Sequence, residues 1–577
     1  MTRWGSWALC VLLGLGSTCG CGGRSSLPFG AAEGVDDDAP SLRAGASSGG
    51  GDRANALGGA PASGGSTAGH GGGNIAQGGN VPVGGSEIGG AGAGGSGGEA
   101  GASDRDWYVD PVIGRDANPG TRAMPFKTLT HAAEVAAAPG TVWLVRGRFD
   151  AAGEPLLEWV DDEAADSTCG ALSGIMIPEG VDVRGLSAEA VSISVRGRHG
   201  LCARGSNFSN ISFERAASDG RLLELDGGSA ELRAVSFQNF DGPITDLDST
   251  VGAVPVLILR GQSSVDWIAE PARQTLGRGS VASMKDRARL RVVGGEFGIF
   301  PSNGAVAQRV FLAVDAAALQ LSGVTLRGDT EHNHEAVLAY GEDPLVLPSV
   351  SFTDNSLVEG FTMGCRFARN ARVSVADSEF ASQSSWALAG IPIGSKDTQS
   401  SLRIERSIIR ESAVGVFMAG LNGSIEIADS LFEGNGSGVA ASVNSLSIRD
   451  TRLVGSRYYG IQVGAQSFTM RRTSFQRNGG GLALGSRVLR ADLGSASDPG
   501  QNRFSSTGQL EHNGPNLSVG CNNDCFVNAS GNTWDPLEQG ADDSGHYPAP
   551  VGEPWDVTSG SGANYNISST ATLRLAE

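Results

Sequence analysis

Between Leu402 and Leu484 the chain repeats itself. The segments LRIERSIIRESAVGVF, IEIADSLFEGNGSGVA, LSIRDTRLVGSRYYGI and FTMRRTSFQRNGGGLA align so that Ile409, Phe432, Leu453 and Phe475 recur at intervals of 23, 21 and 22 residues. Ser412, Asn435, Ser456 and Asn478 keep step with them, as do Gly415, Gly438, Gly460 and Gly481. A period of this length, filled with short alternating strands, a polar turn residue and a glycine, fits one turn of a parallel β-helix per repeat. A leucine-rich repeat has a similar period, but its L-x-x-L-x-L-x-x-N signature is absent, and an antiparallel sandwich would not hold this register. The recurring Ile, Leu and Phe are therefore expected to stack inside. The Asn or Ser is expected at a tight turn, where a short side chain hydrogen-bonds the backbone.

Upstream the period loosens. Coils are expected at 208–213, 232–237, 290–297, 319–326 and 373–380, separated by irregular inserts at 154–173, 243–285, 329–348 and 383–400. At about 4.8 Å per coil, about ten to fifteen coils would make a rod of roughly 50–70 Å. Long inserts on a solenoid usually build its binding face, so a functional site is expected there.

Residues 107–149 read differently. Trp107, Tyr108 and Val109 are strand-prone, and Asp116-Ala117-Asn118-Pro119-Gly120 breaks the chain, because Pro fixes φ and Gly accepts positive φ. Leu129, Ala132, Ala133 and Ala136 then fall on one helical stripe, with Thr128 as N-cap and Pro139-Gly140 as stop. Val142, Leu144 and Phe149 return to extended structure. One amphipathic helix ahead of a strand-rich chain suits a cover for the open end of a sheet stack.

The sequence D-x-N-P-G-T, then P-F-K-T-L, a short helix, P-G and V-x-L-x-x-G-x-F resembles the N-terminal cap module of many right-handed parallel β-helix proteins of the pectin-lyase-like superfamily. The match covers less than a tenth of the chain. It implies an all-β fold, a right-handed parallel β-helix with one capping α-helix over 105–150, coils and inserts over 151–505, and a terminal coil, disulfide loop and tail over 506–577. Asp498 to Phe504 and Ser530 to Trp534 resemble the closing turns of the same superfamily. It implies little about activity, since the superfamily holds lyases, hydrolases, phage tailspikes and proteins without a known reaction.

The first twenty residues carry Arg3, an apolar run from Trp7 to Leu13 and small residues before Cys19-Gly20-Cys21. The run is too short to span a bilayer and reads as a secretory signal. Its end resembles a bacterial lipoprotein cleavage site with Cys21 acylated; Cys19 is the alternative, and an ordinary cleaved signal the plainer reading. Gly22 stands where an inner-membrane retention signal would place Asp, which favours the outer membrane. Residues 21–104 are rich in Gly, Ser and Ala with few large apolar groups, a composition expected to stay disordered. As a flexible coil such a tether spans roughly 50 Å.

With a formal net charge of −19, a nucleic-acid partner is not expected. The membrane is reached only through the N-terminal lipid. Cys521 and Cys525 are expected to close a small disulfide loop, since a metal site wants four ligands; Cys169 with Cys202 would leave Cys365 a free buried thiol.

For chemistry, an eliminase needs a base of high pKa beside a carboxylate-held Ca²⁺, which makes Lys285 and the arginines candidates, while a glycoside hydrolase needs paired carboxylates. Glu224 and Asp226 precede Asp246 and Asp248 by 22 residues each. Stacked on consecutive strands, the four carboxylates would hold calcium or be neutralised by Arg204; the plainer reading is a solvated face. Asp329, His332 and His334 are a second candidate set, for metal or proton transfer, at the head of an insert where polar residues are common anyway. Trp143, Trp159, Trp267, Trp386, Trp534 and Trp555 are candidate sugar platforms, most of them expected as core or loop anchors. The leading expectation is a non-catalytic surface protein that interacts with a polysaccharide or cell-surface glycan. The alternatives are a polysaccharide lyase or glycoside hydrolase with a Ca²⁺-assisted site, and a structural spacer.

Overall fold

A computed structural model describes residues 105–145, 147–150, 175–186, 191–195, 199–215, 221–240, 256–269, 274–277, 280–299, 308–329, 334–341, 347–391, 399–420, 422–485, 487–495, 497–505, 516–519, 526–529, 531–534, 557–559 and 566–567. Cys19, Cys21 and the Gly-rich stretch lie outside these residues. So do Cys169, Asp246, Asp248, His332, Cys521 and Cys525.

The described chain is a right-handed parallel β-helix with one helix, α1 (Leu129–Val135). Each strand pairs in parallel with the strand one coil on. Fifteen strands form one sheet; a larger sheet runs in two lines, joined where the long strands Phe208–Arg215 and Ser229–Phe240 span both. A coil thus has three sides. In the later coils the corner between the two lines is a single residue with positive φ: Asp377, Arg406, Asp429, Asp450 and Arg472 take φ of 49°, 46°, 50°, 52° and 47°. One left-handed residue turns the strand without needing a loop.

The cap forms as its sequence predicts. Thr128 accepts a hydrogen bond from the His131 N–H, and Leu129, Ala132, Ala133 and Ala136 are buried against the first coil. Asp116 fixes the entry by accepting from the Lys127 and Thr128 amides at 2.9 Å each. Gly120, at φ +75°, lies against the Phe126 ring, where a side chain would collide.

The repeat is the core. Ile409, Phe432, Leu453 and Phe475 stand in one register column and are completely buried, and Phe504 extends the column. At the corner leading into the fifteen-strand sheet, Asn435 accepts from the Ser412 amide at 3.0 Å and donates to the Ile409 carbonyl at 2.9 Å; Asn478 does the same for Ser456 and Leu453, at 2.8 and 2.9 Å. A second buried ladder, unseen in the sequence, lines the other corner through Ser378, Ser407 and Ser430. The periodic glycines have a steric reason. A Cβ on Gly415 would sit 2.6 Å from the Gly438 carbonyl oxygen, and one on Gly460 would sit 2.7 Å from the Phe475 ring.

Three expected inserts contain strands. Leu257–Arg260, Ser264–Ile268, Gln274–Gly277 and Ala282–Met284 fall within 243–285, His334–Tyr340 within 329–348, and Trp386–Gly390 within 383–400. Alternation is missing from His334–Tyr340 and Trp386–Gly390 because strands of the fifteen-strand sheet are covered on both faces; His334 through Ala339 are all buried. Cys202 is disulfide-bonded to a residue outside the described set, and Cys365 is free and buried. Burial pushes the Cys365 thiol well above its usual range, with the Glu335 carboxylate adding to it, which makes it inert.

Candidate functional site

Along the fifteen-strand sheet some side chains leave the main core and gather on the other face. Leu312, Val314 and Leu338 form one such patch with Tyr340; Val414, Phe417 and Ala440 form another with Trp386, Ile391 and Ala419. Between these patches lies an ion cluster. Arg309 and Glu335 are register partners on adjacent strands, and Arg309 Nε donates to Glu335 Oε2 at 2.7 Å. Arg366, from the next strand, places Nε 3.2 Å from Oε1 of the same carboxylate. The Glu335 side chain is 3% exposed, Arg309 11% and Arg366 25%, so the cluster faces solvent through Arg366.

Glu335, Met363 and Trp386 succeed one another in register, and Ala389 beside Arg366 leads to Phe417. Trp386 stacks on Phe417 with ring centroids 5.2 Å apart and planes 18° from parallel. Phe417 is buried beneath; Trp386 stays partly exposed. Trp386 stands two strands, about 10 Å, from Glu335 and one strand from Arg366. Half-exposed aromatic area beside a few fixed charges is the usual make-up of a small-ligand or glycan subsite.

The residues singled out from sequence land elsewhere or only in part. Glu224 is buried on the same sheet, but its register partner is Ile258, 34 residues on, and that of Asp226 is Arg260. Asp246 and Asp248 lie outside the described residues. Arg260 Nε lies 3.2 Å from Glu224 Oε1. His334 opens its strand and is buried. Asp329 is half-buried after the strand Thr325–Arg327, and Lys285 is exposed in the turn after Ala282–Met284. Among the described residues no group of three or more His, Cys, Asp or Glu is placed to hold a metal, and no helix is long and apolar enough to cross a membrane. Trp267 is entirely buried, as a core anchor.

Sequence reasoning missed Arg309, Glu335, Arg366 and Phe417 as a group. Glu335 adjoins the candidate His334, but its partners lie 26 residues before and 31 after (335 to 366), outside the 22-residue step.

A family profile described as "Protein of unknown function (DUF1565)" matches residues 112–157, which include the capping helix. Among solved structures the chain is similar to a rhamnogalacturonan lyase, with 13% identity over 64% of this chain and 82% of that one and a TM-score of 0.23. It is similar to a PL6-family alginate lyase at 8% identity, covering 78% and 98%, TM-score 0.25, and to the A-module of a mannuronan C-5 epimerase from Azotobacter vinelandii at 13%, covering 66% and 92%, TM-score 0.22. No curated protein matches the sequence. At these identities and TM-scores the likenesses assign no activity. The chain is a right-handed parallel β-helix protein.

Proposed function

We propose that this is an exported lipoprotein, acylated at Cys21 and held at the outer membrane by its Gly-rich tether, whose β-helix binds carbohydrate without turning it over. The observation that carries the binding half is the partly exposed Trp386 ring stacked on Phe417, with the Arg366 guanidinium on the adjacent strand. A flat apolar ring with a hydrogen-bonding cation nearby suits the C–H face and the hydroxyls of a sugar. The same face favours binding over catalysis. Both oxygens of Glu335 are engaged by guanidinium nitrogens, which makes the carboxylate a brace for two arginines rather than a group offered to a substrate.

The test is incubation of the full chain with acidic and neutral polysaccharides, with and without Ca²⁺, scoring retention, unsaturated product and new reducing ends. Retention without product is expected, weakened at least about tenfold by Trp386→Ala. Product that vanishes with chelator would establish the alternative, a Ca²⁺-assisted polysaccharide lyase or hydrolase. Neither retention nor product would leave a structural spacer.

A further inference from the structure

The larger sheet carries a groove of about 220 Å³ lined by Ser349, Ser351, Arg372, Ser374, Ser401 and Arg403. Register builds it from three consecutive strands. Ser349, Arg372 and Ser401 stand in one column, and Ser351, Ser374 and Arg403 in the next. Two strands earlier the same columns hold Arg289 and Arg291, with Ala318 and Gln320 between. All four arginines are exposed, and the groove serines are partly exposed.

The charges are mostly uncommitted. Arg403 is tied to Glu405, Nη2 to Oε1 at 3.1 Å. Among the described residues Arg289, Arg291 and Arg372 have no carboxylate within ion-pair distance. Among the described residues the acidic groups bordering the row are Asp266, beside Arg291, Asp354, which feels the Arg291 charge, and Glu405 and Glu426 at the other end. Four guanidiniums on five strands are a local reversal in a chain whose formal net charge is −19.

We propose that this row is a docking groove for a carboxylate-bearing polysaccharide. Guanidinium forks match carboxylates bidentately, and the serine hydroxyls between them match sugar hydroxyls, which a bare polyanion lacks. From Arg291 to Arg403 is four strand steps, roughly 19 Å. That run exceeds one sugar and tracks the solenoid axis, as an extended polymer would. The proposal rests on the carbohydrate-binding reading but uses a different surface from Trp386, and it narrows the ligand to an acidic glycan.

Affinity electrophoresis of the full chain through gels cast with polygalacturonate, alginate, polyphosphate or dextran tests it. Polyuronates should slow the wild type, dextran much less, and the effect should fall as salt rises. Arg372→Ser/Arg403→Ser should weaken polyuronate retention about tenfold. Ser351→Glu, which adds a carboxylate to the groove floor, should weaken it similarly. Arg452→Ser, a charge loss on an exposed strand elsewhere, should leave it unchanged. Groove variants retained like the wild type, or a control that loses as much, would overturn the groove while the carbohydrate reading stands. Retention by polyphosphate equal to that by polyuronate would overturn the sugar specificity, and retention by no polysaccharide would overturn both readings.

Discussion

The coils between Leu402 and Leu484 and those between Ala282 and Gly390 share one plan and differ in how strictly they keep it. In the later coils the column Val416, Val439, Ile461, Leu482 advances by 23, 22 and 21 residues. In the earlier ones Met284, Ala313, Ala339, Phe367 and Gly390 advance by 29, 26, 28 and 23. Their cores differ accordingly. The regular coils carry the corner bonds of Asn435 and Asn478, which need about 3 Å. The earlier stack keeps corner bonds at Ser356 and Gln383 and, from two coils before Met284, adds a run of large rings. Phe237, Trp267, Phe297 and Phe311 meet in turn at centroid distances of 5.3, 5.0 and 5.6 Å. Edge-to-face rings tolerate a wider range of offsets than a hydrogen-bond ladder does. The difference teaches that this solenoid gives up its even step where its surface is elaborated, for the ion cluster, Trp386 and most of the arginine groove lie on the irregular side.

The sharpest way to break that contrast is Glu335→Ala. It strands two largely buried guanidiniums, and removing one member of a buried ion cluster costs about 3–5 kcal/mol; urea unfolding of the full chain should show it. Asn435→Ala attacks the other region. It leaves the Ser412 amide and the Ile409 carbonyl without their partner in the core, for about 2–4 kcal/mol, and a loss well under 1 kcal/mol would mean the ladder is ornamental.

A smaller effect concerns pH. The Arg472 guanidinium holds the Asp450 carboxyl below its usual value of 3.8, with Arg449 assisting. A lowered folded-state pKa contributes stability above the unfolded value that is lost as pH falls through the folded one. Thermal melts should therefore show Asp450→Asn less stable than wild type at neutral pH, with the gap closing below about pH 4. A gap that widens with acid would contradict the pairing.

The same division separates the parts of the molecule that were legible in the sequence from those that were not. The cap could be read because capping residues and apolar spacing act locally: Thr128, Leu129 and the Asp116 turn need no distant partner. The later coils could be read because Ile409, Phe432, Leu453 and Phe475 keep a nearly constant step. The site could not. Glu335 meets Arg309 and Arg366 only after coils of unequal length are wound, and Glu224 and Asp226 meet Ile258 and Arg260, 34 residues on, in the next strand. Strands with both faces covered also lose their alternation, so His334–Tyr340 and Trp386–Gly390 read as inserts.

The most direct test of the account is hydroxyl-radical footprinting of the full chain with and without a bound polysaccharide whose retention is weakened by Trp386→Ala. Protection should appear at Met363 and Trp386 on the irregular coils, while Tyr458 and Tyr459 on the regular coils keep their reactivity. Protection confined to Tyr458 and Tyr459, with Met363 and Trp386 unchanged, would contradict the claim that the binding face lies where the solenoid departs from its repeat.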